Sequence, residues 1–133
     1  KKKNISLIID SKLKRVNVNA DQEKIHQVLT NLIENSVKYG KQDGTTEISI
    51  EDLIEDKLII RITDNGKGIK KEHFERLFER FYRVERSGNR STGGSGLGLA
   101  IVKHIIDAHN EKIYVESDFG IGSEFSFSLQ KSN

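Results

Sequence analysis

Polar side chains recur at three- and four-residue spacing in one segment of the chain: Asn31, Glu34, Asn35 and Lys38. This spacing predicts that they share one face of a helix, beside an apolar stripe that faces the core. The amide oxygen of Asn35 is a hard ligand suited to magnesium, which keeps most of its waters and takes only one or two protein ligands. Lys38 could meet a phosphate as a point charge. Taken alone, the same pattern also fits a solvated helix flank.

A second candidate is Asp64, which stands at the predicted end of a strand and before the run Asn65-Gly66-Lys67-Gly68. An aspartate at this place could cap the turn through its own side chain. It could instead read a purine base, because a fixed carboxylate accepts a hydrogen bond from the amino group of adenine and repels the O6 acceptor of guanine. Gly66 and Gly68 would then let the backbone approach the ring without an intervening Cβ.

A glycine-rich loop, Gly93-Gly94-Ser95-Gly96-Leu97-Gly98, opens a third predicted helix. Backbone N–H groups and the positive helix end converge there, which favours binding of an anion such as phosphate. The loop is not a Walker loop, since no Gly-Lys-Ser/Thr follows, and a hinge is the structural alternative. Four arginines nearby could neutralise a terminal phosphate or remain solvated: Arg80, Arg83, Arg86 and Arg90.

The elements that position these residues follow from apolar periodicity. Alternation and turn residues predict strands at 5–9, 15–19, 46–52, 57–63, 112–117 and 123–129. Three-four spacing predicts helices from the N-cap Asp21 to the C′ residue Gly40, over 70–80 and over 97–109. In the second helix, Phe78 and Phe81 are assigned to packing. Residues 84–96 lack periodicity and are expected to form a mobile loop. The predicted fold class is α/β, a two-layer sandwich in which three helices cover one face of a mixed five-stranded sheet.

Composition limits the classes of partner and the number of domains. At 133 residues, with 35% hydrophobic and 32% charged residues, the chain is expected to form one domain over 1–133. A net charge of +2 argues against a nucleic-acid partner. No apolar run approaches the ~20 residues of a membrane span, so no membrane contact is expected. No cysteine is present, which excludes disulfides and thiolate metal sites. No methionine is present either, and we expect the chain to be a piece of a longer protein.

Together the motifs closely resemble the catalytic and ATP-binding domain of sensor histidine kinases, in the gyrase-like ATPase superfamily with its Bergerat fold. The resemblance covers about residues 5–129. Its four sequence boxes, called N, G1, F and G2, are similar to residues 31–39, 64–69, 78–83 and 94–99. Ser36 and Ser123 stand where alanine and threonine are more usual, and these two departures are expected to matter little.

The resemblance implies ATP and Mg²⁺ as cofactors, with Asn35 as the magnesium ligand and residues 84–96 as the ATP lid. It implies a catalytic set made of Asn31, Glu34, Asn35 and Lys38. It implies ATP contacts from Asn31, Asn35, Lys38, Tyr39, Asp64, Gly66, Gly68, Ile69, Phe81, Arg83, Gly94, Ser95, Gly96, Leu97, Gly98 and Leu99.

The resemblance favours a protein histidine kinase over an ATPase. Related hydrolases carry a glutamate base four residues before the magnesium asparagine, whereas this chain has Asn31, whose amide cannot accept a proton near neutral pH. A serine kinase of the anti-sigma type and a noncatalytic nucleotide-sensing module are the alternatives. His26, His73, His104 and His109 are expected to be ordinary surface or rim residues, because none has the sequence setting of the family's phosphoacceptor. The isolated domain is therefore expected not to phosphorylate itself.

The implied partners are the domain that carries the phosphoacceptor histidine, which also forms the homodimer and is absent from this chain, and a response regulator. The implied location is cytoplasmic, within a full-length protein held in the membrane of a bacterium.

Overall fold

The computed structural model describes residues 6–11, 18, 20–82 and 97–131. Its strands are β1 (Ser6–Ser11), β2 (Thr45–Leu53), β3 (Lys57–Asp64), β4 (Ile113–Asp118) and β5 (Gly122–Gln130). Its α-helices are α1 (Gln22–Lys38) and α2 (Gly98–Ala108), and a 3-10 helix spans Lys71–Arg76.

The five strands form one mixed sheet in the order β1-β2-β3-β5-β4. β1 runs parallel to β2, and every other neighbouring pair is antiparallel. The β2–β3 hairpin turns through Ile54, Glu55 and Asp56, and the last two adopt the left-handed region with φ of 63° and 59°. The β4–β5 turn uses Gly120 and Gly122, at φ 89° and 154°.

The core lies between the sheet and the two α-helices, so the predicted two-layer α/β sandwich is confirmed. Alternate residues of β5 point toward the helices because side chains of a strand alternate between its two faces. The side chains that are almost fully buried come from α1, α2 and the sheet: Val28, Leu32, Ile62, Val102, Ile106, Phe127 and Leu129. Each such side chain contributes about 1.5–3 kcal/mol relative to an exposed one.

The second predicted helix is shorter than expected and of another type. It is a 3-10 helix, and it holds no buried residue of its own. The buried anchor, Leu77, follows it, and Phe78 makes an edge-on contact with Phe125 at 6.3 Å between ring centroids. Phe81 has a positive φ of 65° and is 68% exposed, so its assignment to packing is wrong. A residue in the left-handed region of φ cannot continue a right-handed helix, so the helix ends before Phe81 and its side chain points away from the core.

Two predicted segments fall largely or wholly outside the described residues. Of the predicted strand 15–19, only Val18 is described, and it forms an isolated antiparallel bridge with Lys131. The predicted mobile loop 84–96 lies entirely outside the described part of the chain, together with Arg83, Arg86 and Arg90.

The predicted N-cap of α1 is confirmed, because Asp21 Oδ1 accepts a hydrogen bond from Lys24 N at 3.2 Å. The Asp21 backbone N–H donates to His109 Nε2 at 3.1 Å, which makes Nδ1 the protonated nitrogen. That Nδ1 donates to Ile105 O at 2.8 Å. His109 thus ties the start of α1 to the end of α2.

The other three histidines differ from His109 in their surroundings. His26 and His104 are exposed, as expected for surface residues. His73 is half-buried and its Nδ1 contacts the hydroxyl of Tyr82.

Candidate functional site

The carboxylate of Asp64 lies at the end of β3 and is 8% exposed. Its Oδ1 accepts a hydrogen bond from Gly66 N at 2.9 Å. Burial raises the pKa of Asp64 above its ordinary value, whereas hydrogen bonds from the Gly66 and Ser123 amides and from the Ser36 hydroxyl lower it. The net direction is upward, because the effect of burial is larger than that of these hydrogen bonds.

Two further hydroxyl groups lie beside this carboxylate. Thr46 is the direct cross-strand partner of Asp64 in the β2–β3 ladder, and its Oγ1 is 2.7 Å from Ser36 Oγ. Both side chains are almost completely buried. Sequence analysis did not include Ser36 in the site. A serine within the apolar stripe of α1 is the signal that could have found it, because a polar group at a core position needs a partner.

The turn after Asp64 is held between the end of α1 and the β4–β5 turn. Lys67 N donates to Tyr39 O at 3.3 Å, and Gly120 N donates to Lys67 O at 2.6 Å. A Cβ atom at Gly66 would lie 2.3 Å from Tyr39 O, and one at Gly68 would lie 2.2 Å from Asp118 O. Both glycines are therefore required by the packing of the protein's own backbone, a reason different from the approach to a base that the sequence suggests.

Ser117 fastens the far end of this turn to the sheet. Its Oγ accepts from Ile69 N at 2.7 Å and donates to Gly122 O at 2.9 Å. The hydroxyl oxygen of Ser123 lies 2.8 Å from Ser117 Oγ. Ile69 itself is buried in the core, so its side chain belongs to the packing beneath the site.

The predicted polar face of α1 exists and borders α2. Asn31, Asn35 and Lys38 are half-buried, and Glu34 is exposed. Asn31 Nδ2 donates to the carbonyl oxygen of Gly98 at 3.3 Å, which joins this face to the first residue of α2.

Two cations flank Tyr39, just beyond the end of α1. Lys38 Nζ lies 5.0 Å and Lys67 Nζ lies 5.4 Å from the centre of its ring, both within cation–π range. They place positive charge next to the turn that follows Asp64.

The N-terminal end of α2 has no described atom close to the Cβ position of its first residue, Gly98. A Cβ atom at Gly98 would meet no described atom within 4 Å, and the first turn of the helix holds no acidic residue. Because the first N–H groups of a helix have no partner within the helix, such an end attracts anions. Leu99, in contrast, packs against the core.

The structure thus brings the first, second and fourth motifs together. Asp64 and its turn contact the end of α1, and α1 contacts the start of α2. The third motif contributes the packed Phe78, whereas Phe81 is exposed. Four predicted site residues lie outside the described part of the chain: Arg83, Gly94, Ser95 and Gly96.

A separate groove of about 440 Å³ lies beside β2, β3 and β5 and contains none of the predicted site residues. Three of its four charged side chains interact with one another. The Arg61 guanidinium contacts Glu51 and lies 3.7 Å from Glu124, while Thr63 donates to Glu124 at 3.0 Å. We interpret this groove as an ion-paired outer surface of the sheet.

The donor set of the site fits a nucleoside triphosphate with magnesium. One buried carboxylate is present for a base, an amide oxygen for a hard cation, and lysines with an open helix end for phosphates. The family model of histidine kinase-, DNA gyrase B- and HSP90-like ATPases matches residues 20–133. The chain therefore belongs to this family of ATPases.

Within this family, the chain is similar to sensor histidine kinases. The sensor histidine kinase WalK of Bacillus subtilis (strain 168) is 43% identical over 113 residues, which cover 84% of this chain. The chain spans 18% of the length of that relative.

Among solved structures, full-length ShkA in complex with AMPPNP matches with a TM-score of 0.84 and 25% identity, over 98% of this chain and 26% of that one. Histidine kinase ThkA in complex with the response regulator TrrA matches with a TM-score of 0.78 and 29% identity, over 97% and 35%. Among the described residues, no helix is both long and apolar enough to cross a membrane.

Proposed function

We propose that this chain is the ATP-binding catalytic domain of a two-component sensor histidine kinase. It transfers the γ-phosphoryl group of ATP to a histidine on a dimerisation domain outside this chain. The observation that carries the proposal is the buried, ionisable Asp64, which offers an acceptor to the amino group of adenine beside two cations and an open helix end. The family of the chain supports the same conclusion.

Each part of the nucleotide has a partner of suitable chemistry. Asp64 accepts from the adenine amine, and Asn35 supplies an oxygen to magnesium, which neutralises phosphate charge when it is bound. Lys38 and the N–H groups at the start of α2 attract the phosphates. The solved relative ShkA, crystallised with AMPPNP, supports a nucleotide in this family of sites.

The site lacks a base for hydrolysis at the position where hydrolases of the superfamily are expected to have one. Asn31 stands there, and its amide group donates to Gly98 O. An amide cannot remove a proton from water near neutral pH, so the γ-phosphoryl group is conserved for another acceptor. Glu34, which is exposed on the same face, serves either as a base toward the incoming histidine or as an orienting group.

We infer the partners from the relatives. The dimerisation domain with its phosphoacceptor histidine forms the homodimer, and a response regulator receives the phosphoryl group, as the complex of ThkA with TrrA suggests. The domain acts on the cytoplasmic side of a membrane-held sensor.

The test mixes this domain with a separate helical hairpin that carries the phosphoacceptor histidine, in labelled Mg·ATP. We expect acid-labile phosphate on the hairpin and none on the domain alone. A hairpin whose histidine is replaced by alanine is the control. Labelled phosphate that survives acid would favour the serine kinase, and nucleotide binding without any transfer would favour the sensing module. Either result would contradict the proposal.

A further inference from the structure

The ladder between β2 and β3 changes its hydrogen-bonding pattern directly after Asp64. One position beyond the Thr46–Asp64 pair, Thr45 faces Asn65, and Asn65 N donates to Thr45 O at 3.4 Å. In an antiparallel pair of this kind, the two residues ordinarily exchange a second bond between backbone groups. Here Thr45 N donates instead to the side-chain oxygen Oδ1 of Asn65, at 2.8 Å. A carboxamide oxygen therefore stands where a regular ladder would use a backbone carbonyl.

The loop between α1 and β2 leaves room for this side chain. A Cβ atom at Gly44 would lie 2.7 Å from Asn65 Oδ1, so an alanine at this position would displace the oxygen. Gly44 is buried and Asn65 is half-buried. Gly44 N also donates to Lys41 O at 3.0 Å, which closes the loop beside Asn65. The contact thus depends on a close approach that the glycine permits.

The side-chain contact allows β3 to end at Asp64. Because the Asn65 side chain satisfies the opposite amide, the backbone carbonyl of Asn65 is released from that bond and the chain can leave the sheet. It turns at once, since Gly66 N donates back to Asp64 Oδ1 at 2.9 Å. Lys67 N then donates to Tyr39 O at 3.3 Å. The turn that carries the Asp64 carboxylate therefore begins at Asn65.

We propose that Asn65 is a positioning residue for purine recognition: its side chain replaces a backbone acceptor opposite Thr45, which starts the turn directly after Asp64 and holds the carboxylate where it meets the amino group of adenine. The inference rests on the proposed function, and Asn65 acts through Asp64. Without the acceptor, Thr45 N either takes the backbone carbonyl of residue 65, which extends β3, or stays unpaired. Both changes move the turn.

The experiment compares the binding of Mg·ATP with that of Mg·purine riboside triphosphate, which lacks the amino group, by calorimetry. Asn65→Leu keeps the size of the side chain and removes the acceptor. It should bind ATP roughly tenfold more weakly, as expected for a weakened hydrogen bond to a charged group, and should bind the analogue like the wild type.

Asn65→Asp keeps the oxygen and should restore the ATP-to-analogue affinity ratio of the wild type. The charge that it adds acts on both triphosphates alike, so the ratio is free of that effect. Gly44→Ala tests the contact without a change at residue 65, in case Asn65→Leu folds poorly. Its Cβ displaces Asn65 Oδ1, so the ratio should fall in the same direction as in Asn65→Leu.

The matched control is Asp21→Ala. Asp21 Oδ1 also accepts from a backbone N–H, that of Lys24, at 3.2 Å. It lies at the start of the 17-residue helix α1, about 25 Å from the end that meets the turn. Asp21→Ala should lower the melting temperature through loss of the helix cap and leave the ATP-to-analogue ratio unchanged.

The outcomes separate the two proposals. If the wild type binds no Mg·ATP, the proposed function fails and this inference fails with it. If the wild type binds ATP but Asn65→Leu and Gly44→Ala keep its ATP-to-analogue ratio, the inference alone is overturned. It is also overturned if Asn65→Asp does not restore the ratio, because the acceptor would then not be responsible. An equal fall in Asp21→Ala would indicate general loosening and would overturn it as well.

Discussion

At the scale of single residues, the site depends on a charge that the protein has removed from water. Burial of an unpaired carboxylate is costly, and a donor shell lowers this cost. Around Asp64 that shell comes from the following turn, from β5 and from α1. Under the proposed function, the ionised carboxylate accepts a hydrogen bond from the amine of adenine and repels a carbonyl oxygen.

Acidification should affect stability and binding in opposite directions at Asp64. Burial raises its pKa in the folded chain, so the native state holds the proton more tightly than the unfolded state does. The contribution of this group to stability therefore improves as pH falls through the window between its ordinary and its raised pKa. ATP affinity falls across the same window because the amine needs the ionised oxygen.

Asp64→Asn should abolish both pH dependences at once. We expect ATP affinity to fall by about tenfold or more, while the melting temperature stays equal or rises. Calorimetric titration and thermal unfolding, each across pH, measure the two effects. The control is Asp43→Asn, which alters an exposed carboxylate. Unchanged affinity in Asp64→Asn would contradict the assigned role.

Residue types predicted part of this site and missed the rest. Asp64 could be singled out because it stands between a predicted strand and a glycine turn, and its side chain does cap that turn through Gly66 N. Ser36 was missed, because its place in the apolar stripe signals a buried partner without saying that the partner is Thr46, which lies in another element. Whether a buried hydroxyl belongs to a site depends on its neighbours in the folded structure, and the local sequence pattern does not contain that information.

At the scale of elements, helix ends and turns do most of the positioning. The turn at Gly66 hydrogen-bonds to the end of α1, and the start of α2 hydrogen-bonds to the side of α1. Helix α1 was predictable because its cap, stripe and C′ glycine agree. The 3-10 helix at Lys71–Arg76 was not predictable, because the spacing of its apolar residues resembles that of an α-helix. The buried residue that anchors this segment, Leu77, comes after the helix.

Two glycines should respond oppositely to alanine. In Gly66→Ala the new Cβ would meet backbone atoms of Tyr39 and Gly40, so we expect a loss of about 1–3 kcal/mol in stability together with weaker ATP binding. In Gly98→Ala the new Cβ meets no described atom, and the helix gains about 0.5–1 kcal/mol.

Chemical denaturation measures the change in stability of each variant. Gly98→Ala is the control for replacing a glycine by alanine where the new Cβ meets no described atom. If the open space at Gly98 receives phosphates, this variant should be more stable and yet bind ATP less tightly. Equal stability changes in the two variants would contradict the packing role of Gly66.

At the scale of the whole molecule, nucleotide binding should stabilise the fold, because the site joins α1, α2, β3 and β5. Mg·ATP at about a hundred times its Kd should add about 2.7 kcal/mol, which raises the melting temperature by roughly 10 °C. Mg·GTP should cause a much smaller shift because its O6 faces the acceptor at Asp64. Differential scanning fluorimetry measures both, with Asp64→Asn as the control. Equal shifts for the two nucleotides would argue against adenine recognition.

The general architecture followed from periodicity, since strand alternation and helical stripes together predict a sheet covered on one face. The order of strands did not follow. The glycines at 120 and 122 indicate a hairpin between β4 and β5, but nothing in the local pattern of residues 122–130 indicates the second pairing, with β3, because that pairing depends on contacts distant along the chain.

The position of β5 has a consequence for biosynthesis. It is the last strand in the described order, yet it lies inside the sheet between β3 and β4. During translation β5 leaves the ribosome after the other four strands, so the facing edges of β3 and β4 stay unpaired until then. A polypeptide that stops before Gly122 would lack this inner strand and, with Ser123, one of the donors to Asp64. We expect such a product to aggregate or to be degraded by cellular proteases, with no nucleotide retained.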